Sequence, residues 1–325
     1  MSMETNMWER NDNTYLADIE DELTRELIIY TTDNMAYLMR ELGISLTGEY
    51  QKSWIKRIKQ RISEGKSTQR VINYFQNLGK KWTENQLKVM DWILDRNKPK
   101  WRELAERVIT KTGVLSKIKA RLDREETDIN QAKISELPET LEKAKRKIMS
   151  ITVEGKEIKI DPLTKDEEKV LLANIERCGD KLKEVSKRQK EKIKEILKQA
   201  VVEKWSALRV SQELMKATGD HQRDWRTVAI TELAMASTDA FIASQKDGLK
   251  VTVPALAGAC KYCVQLLEGK TFILLKNPPA TLTPEHAEKY LWVGKTNYGR
   301  TSKNYIPCIP LHPRCRHYIV PVGRD

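Results

Sequence analysis

The chain has 325 residues, of which 32% are charged and 40% hydrophobic, and it carries a net charge of +12 with only 14 glycines. This composition favours long, solvent-facing helices over an α/β enzyme, whose tight loops and ligand cradles need more glycine. The sequence contains no apolar stretch of about eighteen residues, and its polar, acidic beginning is unlike a secretory signal peptide, so we expect no membrane association and a reducing environment.

Charge is distributed unevenly along the chain. Residues 1–50 carry 3 basic and 11 acidic side chains, whereas residues 51–122 carry 19 basic and 6 acidic ones. The basic block 51–122 has two interpretations, a surface for DNA or an acidic protein and a set of solvated helix faces. Both stay open at the level of the sequence.

The N-terminal region, residues 1–150, is predicted to be helical, acidic at first and then basic. Apolar residues recur at helical spacing over residues 15–42, and Gly43 is placed to end that helix. Further helices are expected over residues 50–101 and 103–150, with a break near Pro138. These helices contain Trp82, Trp92 and Trp101. The tryptophans are either part of the hydrophobic core or a stacking platform for exposed bases.

A central region of residues 151–220 is predicted to hold a hairpin followed by long charged helices. The hairpin covers residues 151–160, with its turn at Glu-Gly. Thr164 and Glu167 have the spacing of a capping box at the start of a helix. We expect an interruption at Cys178-Gly179, where Cys178 is a small buried hydrophobe, and a later short helix from Ser206 to Gly219.

The region 221–325 begins with a helix over Trp225–Gln245 and changes character after Gly248. Prolines cluster there, four of the five cysteines occur there, and residues 250–253 and 271–275 are β-prone. So short and loop-rich a segment cannot easily build a core alone. The predicted fold is therefore mainly α, with elongated helical N-terminal and central regions and a small α+β C-terminal domain whose module 250–322 is stapled by zinc.

The candidate zinc ligands form two pairs, and the members of each pair are three residues apart. Cys260 and Cys263 form one pair, and His312 and Cys315 form the other. Thiolates and imidazoles are zinc's preferred ligands, and four of them make a closed site with a structural rather than a catalytic role. Cys308 and His317 are surplus donors, either of which could replace a member of the second pair.

These cysteines have two other interpretations, a redox pair and unligated thiols. A thioredoxin-like redox pair normally opens a helix in a βαβ unit, whereas the surroundings here predict a turn and a strand. Unligated cysteines are disfavoured by the second His/Cys pair. His286 is predicted to lie on a solvated helical turn rather than at a metal.

The ordered motifs of residues 205–322 resemble the C-terminal domain of phage minor head proteins, the head morphogenesis family of the Mu-like phages. The resemblance rests on Arg226 to Glu232, the Cys260/Cys263 pair, Leu267 to Lys270, Pro278-Pro279 and His312 to Arg316. The pattern departs from the family at His317, where the family has cysteine.

The resemblance implies a low-copy structural component of the virion, inside the capsid near the portal, that is present in the host cytoplasm during assembly. The implied activities are procapsid assembly and DNA packaging or delivery. The implied partners are the portal protein and the scaffold or major capsid protein, with DNA as a candidate partner of the basic block 51–122.

The motif residues Thr231 and Glu232 have a structural interpretation. We expect the hydroxyl group of Thr231 to bond back to its helix, and the carboxylate of Glu232 to pair with Arg226 or with the cysteine loop. No catalytic set is recognisable, because a nuclease needs a carboxylate cluster or an open metal site, and a phosphate-cradling glycine loop is also missing from the sequence. The alternative is a zinc-containing DNA-binding or nuclease protein.

Overall fold

The computed structural model describes residues 15–41, 94–95, 97–125, 127–134, 136–146, 148–203, 205, 207–276, 283–292 and 297–322. Most of these residues are helical, and two small sheets accompany the helices, which confirms a mainly helical fold. The helices are α1 (Ala17–Glu41), α2 (Trp101–Arg124), α3 (Leu141–Arg146), α4 (Lys165–Val202), α5 (Ala207–Ala243), α6 (Lys261–Leu266) and α7 (Pro284–Lys289). Within the described ranges, no helix has the length and apolar character needed to cross a bilayer.

The first sheet has three antiparallel strands in the order β1-β2-β3, which are Ala132–Ile134, Met149–Val153 and Lys156–Ile160. Strand β2 alternates buried and exposed residues, as expected for a strand with one face on the core. Glu154 and Gly155 join β2 to β3 with positive φ angles of 49° and 82°. The predicted hairpin is thereby confirmed, and its two turn residues have the φ signs of a type I′ turn.

The second sheet lies in the C-terminal part and has the order β6-β5-β4-β7. Its strands are β4 (Lys250–Thr252), β5 (Thr271–Leu275), β6 (Tyr290–Trp292) and β7 (Val320–Pro321). Strand β4 pairs antiparallel with β5 and β7, while β5 and β6 are parallel. Both β-prone runs predicted after Gly248 are therefore strands of one sheet.

The described residues group into two compact units. The first unit comprises those within residues 1–23, 101–180 and 227–325, and the second those within 24–100 and 181–226. The first unit has a buried apolar cluster at each of its two sheets, and the second unit has one around Met35, Leu38, Leu197 and Leu214. The predicted division into residues 1–150, 151–220 and 221–325 differs from these two units and stays a prediction.

Two predicted helix breaks are wrong. Helix α4 continues through Cys178-Gly179, where Gly179 lies close to α2: a Cβ atom there would be 3.6 Å from the Cα atom of Arg102. Helix α5 likewise continues through Gly219, with buried Ala217 and Trp225 on either side of it. Burial of such side chains outweighs the roughly 1 kcal/mol that glycine costs a helix.

The prediction of helix over residues 103–150 with a single break near Pro138 is also wrong in part, because α2 already ends at Arg124. A 3-10 turn at Ile129–Gln131 and strand β1 follow before α3 begins. Ala132 to Ile134 pair with Val153 to Ile151 of β2, and this long-range pairing gives the short segment its strand conformation. The helices predicted between residues 51 and 93, with Trp82 and Trp92, lie outside the described residues, whereas Trp101 is buried.

Candidate metal centre

The Cys260/Cys263 pair is positioned by the short helix α6. Cys260 is the residue before its first turn, and Cys263 lies in that turn. Residues three apart in a helix share a face, so both sulfur atoms point to the same side. The predicted turn-and-strand setting is thus corrected: the pair does open a helix, although strands β4 and β5 around it are antiparallel, unlike those of a βαβ unit.

The second pair is brought to α6 by the turn His312 to Cys315. The backbone N–H of Cys315 donates to the carbonyl oxygen of His312 at 3.1 Å, and Arg314 has a positive φ of 67°. The Nε2 atom of His312 lies 3.2 Å from the Sγ atoms of both Cys260 and Cys263. Its Nδ1 atom lies 2.8 Å from the carbonyl oxygen of Pro313, which can accept a hydrogen bond from the ring N–H.

Cys315 extends the cluster on its other side. Its Sγ atom lies 3.8 Å from that of Cys263 and 3.5 Å from Nδ1 of His317. The Nε2 atom of His317 lies 2.8 Å from Oε1 of Glu268, an oxygen that also accepts the backbone N–H of Leu256 at 2.9 Å. Cys263, Cys315 and His317 are all buried.

Five side chains therefore could hold a metal ion, in two groups that share Cys263. One group is Cys260, Cys263 and His312, and the other is Cys263, Cys315 and His317. Within each group the donor atoms lie within 4.8 Å of one another. Across the part of the chain that the structure describes, no single group holds all four donors of the predicted set, because Cys315 groups with His317 rather than with His312.

Cys308, the other surplus donor, lies in neither group. Its sulfur atom accepts a hydrogen bond from Nδ2 of Asn297 at 3.3 Å and lies 3.5 Å from the carbonyl oxygen of Pro310. Burial raises the pKa of this thiol to about 12, which keeps it protonated. Of the two alternates, the structure brings only His317 to the cluster. His286 lies on α7, partly buried against Tyr290 and Trp292, and is likewise outside both groups.

Hydrogen bonds within the cluster favour the thiolate form of Cys315 and Cys260 and the thiol form of Cys263. The hydrogen bond with Cys263 holds the pKa of Cys315 well below its ordinary value and correspondingly raises the pKa of Cys263. Partial burial opposes ionisation of Cys260, but backbone N–H groups of Cys263 and Tyr262 lower its pKa. Thiolate is the form of cysteine that binds metals, so Cys315 and Cys260 are prepared for a cation, whereas Cys263 has to lose its proton on binding one.

The motif residues of α5 connect the cluster to the rest of the first unit. Thr231 Oγ1 donates to the carbonyl oxygen of Thr227 at 2.6 Å, as expected, and accepts the backbone N–H of Arg314 at 3.0 Å. The predicted partners of Glu232 are corrected, because its carboxylate pairs with Arg177 of α4 at 3.0 Å. Arg226 falls in the second unit.

Three residues that the sequence did not single out support this region. Glu268 contacts His317, Arg177 contacts Glu232, and Glu20 of α1 pairs with Arg316 at 2.7 Å. Glu268 lies in the run Leu267 to Lys270, one of the motifs on which the family resemblance rests, so the sequence did contain an indication of it. Arg177 and Glu20 are distant in sequence from the motifs, so local patterns could not identify them.

The order Cys315–His317–Glu268 resembles a nucleophile, base and acid, but its surroundings do not admit a substrate. Cys315 is 2% exposed and His317 is 4% exposed. The cavity beside them, lined by Glu20, Arg316 and His317, has a volume of about 20 Å³. That volume holds roughly one water molecule. The Cys315 and His317 side of the cluster therefore leaves no room for a substrate.

Comparison with known proteins yields no relative: no protein-family model, curated protein or solved structure matches the chain. The geometry of the cluster and the motifs of the sequence therefore carry the functional inference.

Proposed function

We propose that this chain is a structural protein of a tailed-phage head whose C-terminal module, residues 250–322, is closed by a zinc ion. The observation that carries the proposal is the convergence of α6 with the His312–Cys315 turn on a Cys/His cluster in which Cys263, Cys315 and His317 are buried. The predicted ligand set is Cys260, Cys263, His312 and Cys315, and His317 lies within reach of it.

Zinc is the metal that the donor chemistry favours. Thiolates and imidazoles suit zinc, whereas calcium and magnesium take oxygen ligands. Each histidine of the cluster has one ring nitrogen near sulfur and the other near an oxygen acceptor, His312 on Pro313 and His317 on Glu268. That arrangement is typical of metal-bound histidines. Bound there, zinc would tie together segments that are about fifty residues apart in the sequence.

A structural role is supported by the burial of Cys263, Cys315 and His317 and by the connections of the cluster. Thr231 bonds to the ligand-bearing turn, and Arg316 of the same segment pairs with Glu20. A hydrolytic zinc site keeps an open coordination position that a substrate can reach. The 20 Å³ cavity at His317 is too small to admit one.

The assignment to a phage head is supported by the resemblance of residues 205–322 to the minor head proteins. Except for Pro278-Pro279, which lies outside the described residues, and for Arg226, the motifs that carry it meet in the first unit around one cluster. On this proposal the chain is a low-copy component of the capsid interior. It binds the portal protein and meets scaffold or major capsid protein during assembly. The basic block 51–122 is the segment that would contact DNA.

Metal content tests the zinc part of the proposal. Full-length protein purified without added metal should contain about one zinc per chain by mass spectrometry, and chelation should make residues 250–322 sensitive to protease. Metal-free protein that resists proteolysis as well as the zinc-loaded form would contradict the staple.

The head assignment needs a separate experiment. Proheads and mature virions of the phage that encodes the chain should contain it in a few copies per particle, cross-linked to the portal protein. Particles that lack the chain would refute the assignment. Metal-dependent cleavage of DNA by the pure protein would favour the alternative, a zinc-containing nuclease. Any DNA binding should be independent of sequence and should weaken steeply with salt.

A further inference from the structure

We propose that His317 is itself a metal ligand through Nδ1, together with Cys263 and Cys315, and that Glu268 is the residue that positions it. This inference rests on the proposed zinc site; it makes His317, one of the two predicted alternates, a ligand and adds Glu268 as the residue that supports it.

The contact with Glu268 orients the imidazole ring of His317 as in a metal-bound histidine. Nε2 of His317 lies 2.8 Å from Oε1 of Glu268, and this contact assigns the ring proton to Nε2 in the neutral tautomer. Nδ1 then carries a lone pair that faces Cys315 at 3.5 Å. A metal-bound histidine almost always donates its other N–H to an oxygen acceptor, and a carboxylate acceptor strengthens the ring as a ligand.

The distances between the donor atoms of Cys263, Cys315 and His317 also match those around a tetrahedral zinc ion. Bond lengths of about 2.3 Å to sulfur and about 2.0 Å to nitrogen place neighbouring tetrahedral donors roughly 3.5 to 3.8 Å apart. The Cys315–His317 separation is 3.5 Å and the Cys263–Cys315 separation is 3.8 Å. By the same measure His312 lies slightly close to its two sulfurs, at 3.2 Å from each.

Glu268 is itself held in place by contacts that involve no metal. Oε1 of Glu268 also accepts the backbone N–H of Leu256, so the carboxylate is held from two sides. The side chains of His317 and Glu268 are 3% and 12% exposed. Water therefore competes little for the contact, and His317 cannot easily turn away from the cluster.

If Nδ1 of His317 carries a proton, the residue is only a hydrogen-bond donor to the Cys315 thiolate. The substitution His317→Cys separates the two roles, because a thiolate can replace an imidazole as a ligand but not as an N–H donor. With cobalt(II) in place of zinc, thiolate-to-metal charge-transfer absorption reports the number of bound sulfurs. Direct ligation predicts one more bound thiolate in His317→Cys than in the parent. Simple donation predicts an unchanged number.

Affinity measurements on the full-length chain complete the test. His317→Ala should weaken cobalt(II) and zinc binding by at least about a hundredfold, and His317→Cys should restore most of it. Glu268→Gln should weaken binding by about tenfold or more while leaving the number of bound thiolates unchanged. His286→Ala and the exposed Glu288→Gln are matched controls and should bind like the parent.

The outcomes are distinguishable. If the parent binds no zinc or cobalt, the proposed zinc site itself fails. If the parent binds metal but His317→Cys adds no thiolate, or His317→Ala binds like the parent, the zinc site stands and the role of His317 is refuted. Unchanged affinity in Glu268→Gln refutes the positioning role.

Discussion

The hydroxyl group of Thr231 joins helix α5 to the ligand-bearing turn, because it accepts the backbone N–H of Arg314 at 3.0 Å while donating to the carbonyl oxygen of Thr227. Arg314 lies midway in the turn between His312 and Cys315, with a φ of 67°. A side chain on a helix therefore helps to fix the backbone from which two candidate ligands project.

Thr231→Val is expected to destabilise the module 250–322 by about 1 to 2 kcal/mol, since valine keeps the volume but removes the acceptor. Hydrogen exchange of the amide groups around residues 312–317 would measure this local free energy of opening. Thr231→Ser is the matched control and should change it by less than about 0.5 kcal/mol. Equal protection in the valine variant and the parent would contradict the role given to the hydroxyl.

Cys263 belongs to both donor groups, so its loss should be more damaging than that of any other cysteine. Cys263→Ser is expected to abolish stoichiometric zinc binding and to make residues 250–322 sensitive to protease. Cys308→Ser is a closely matched control, because Cys308 is equally buried and outside both groups. It should keep about one zinc per chain, and zinc loss of equal extent in both variants would show that burial rather than ligation matters.

The β2–β3 hairpin offers a test of backbone conformation that is independent of the metal. Glu154 is exposed and has a φ of 49°, where asparagine is more favourable, and Gly155 has a φ of 82° with open space around it. Glu154→Asn should stabilise the first unit by roughly 0.5 kcal/mol, and Gly155→Ala should destabilise it by about 1 to 2 kcal/mol. Urea unfolding of the two variants would measure both changes, which should have opposite signs.

Local signals predicted several elements correctly. The β2–β3 hairpin follows from β-prone runs around Glu-Gly. The capping box is confirmed, because Thr164 N donates to Glu167 Oε2 at 2.7 Å and Glu167 N donates to Thr164 Oγ1 at 3.3 Å. Spacing alone also singled out Cys260, Cys263, His312 and Cys315, each of which lies in one of the two donor groups, although His312 and Cys315 do not share a group.

Features that depend on long-range packing could not be predicted. Gly179 looked like a break, yet it lies in α4 where α2 comes close. Strand β1 exists because Ala132 to Ile134 pair with β2. In the cluster, the sequence left Cys308 and His317 as equal alternates, and only the hydrogen bond of Cys308 to Asn297 and the contact of His317 with Glu268 separate them.

His221 gives the second unit a predictable response to pH. The residue is 3% exposed, and neither ring nitrogen has a hydrogen-bond partner among the described residues. Burial, with a smaller contribution from Arg188, lowers its pKa from 6.5 to about 4. The folded chain therefore holds this ring neutral, whereas the unfolded chain protonates it below about pH 6.5.

Because the unfolded state binds the additional proton between these two pKa values, the free energy of unfolding should fall as the pH falls from about 6.5 to about 4. The pKa difference corresponds to a total loss of roughly 3 kcal/mol, of which about 2 kcal/mol is reached near pH 5. His221→Phe removes the titrating group and should lack this component. The test is urea unfolding of both proteins at about pH 7 and about pH 5, monitored by tryptophan fluorescence, to which the buried Trp225 contributes. Equal pH dependence in the parent and the variant would mean that His221 is not held neutral by the fold.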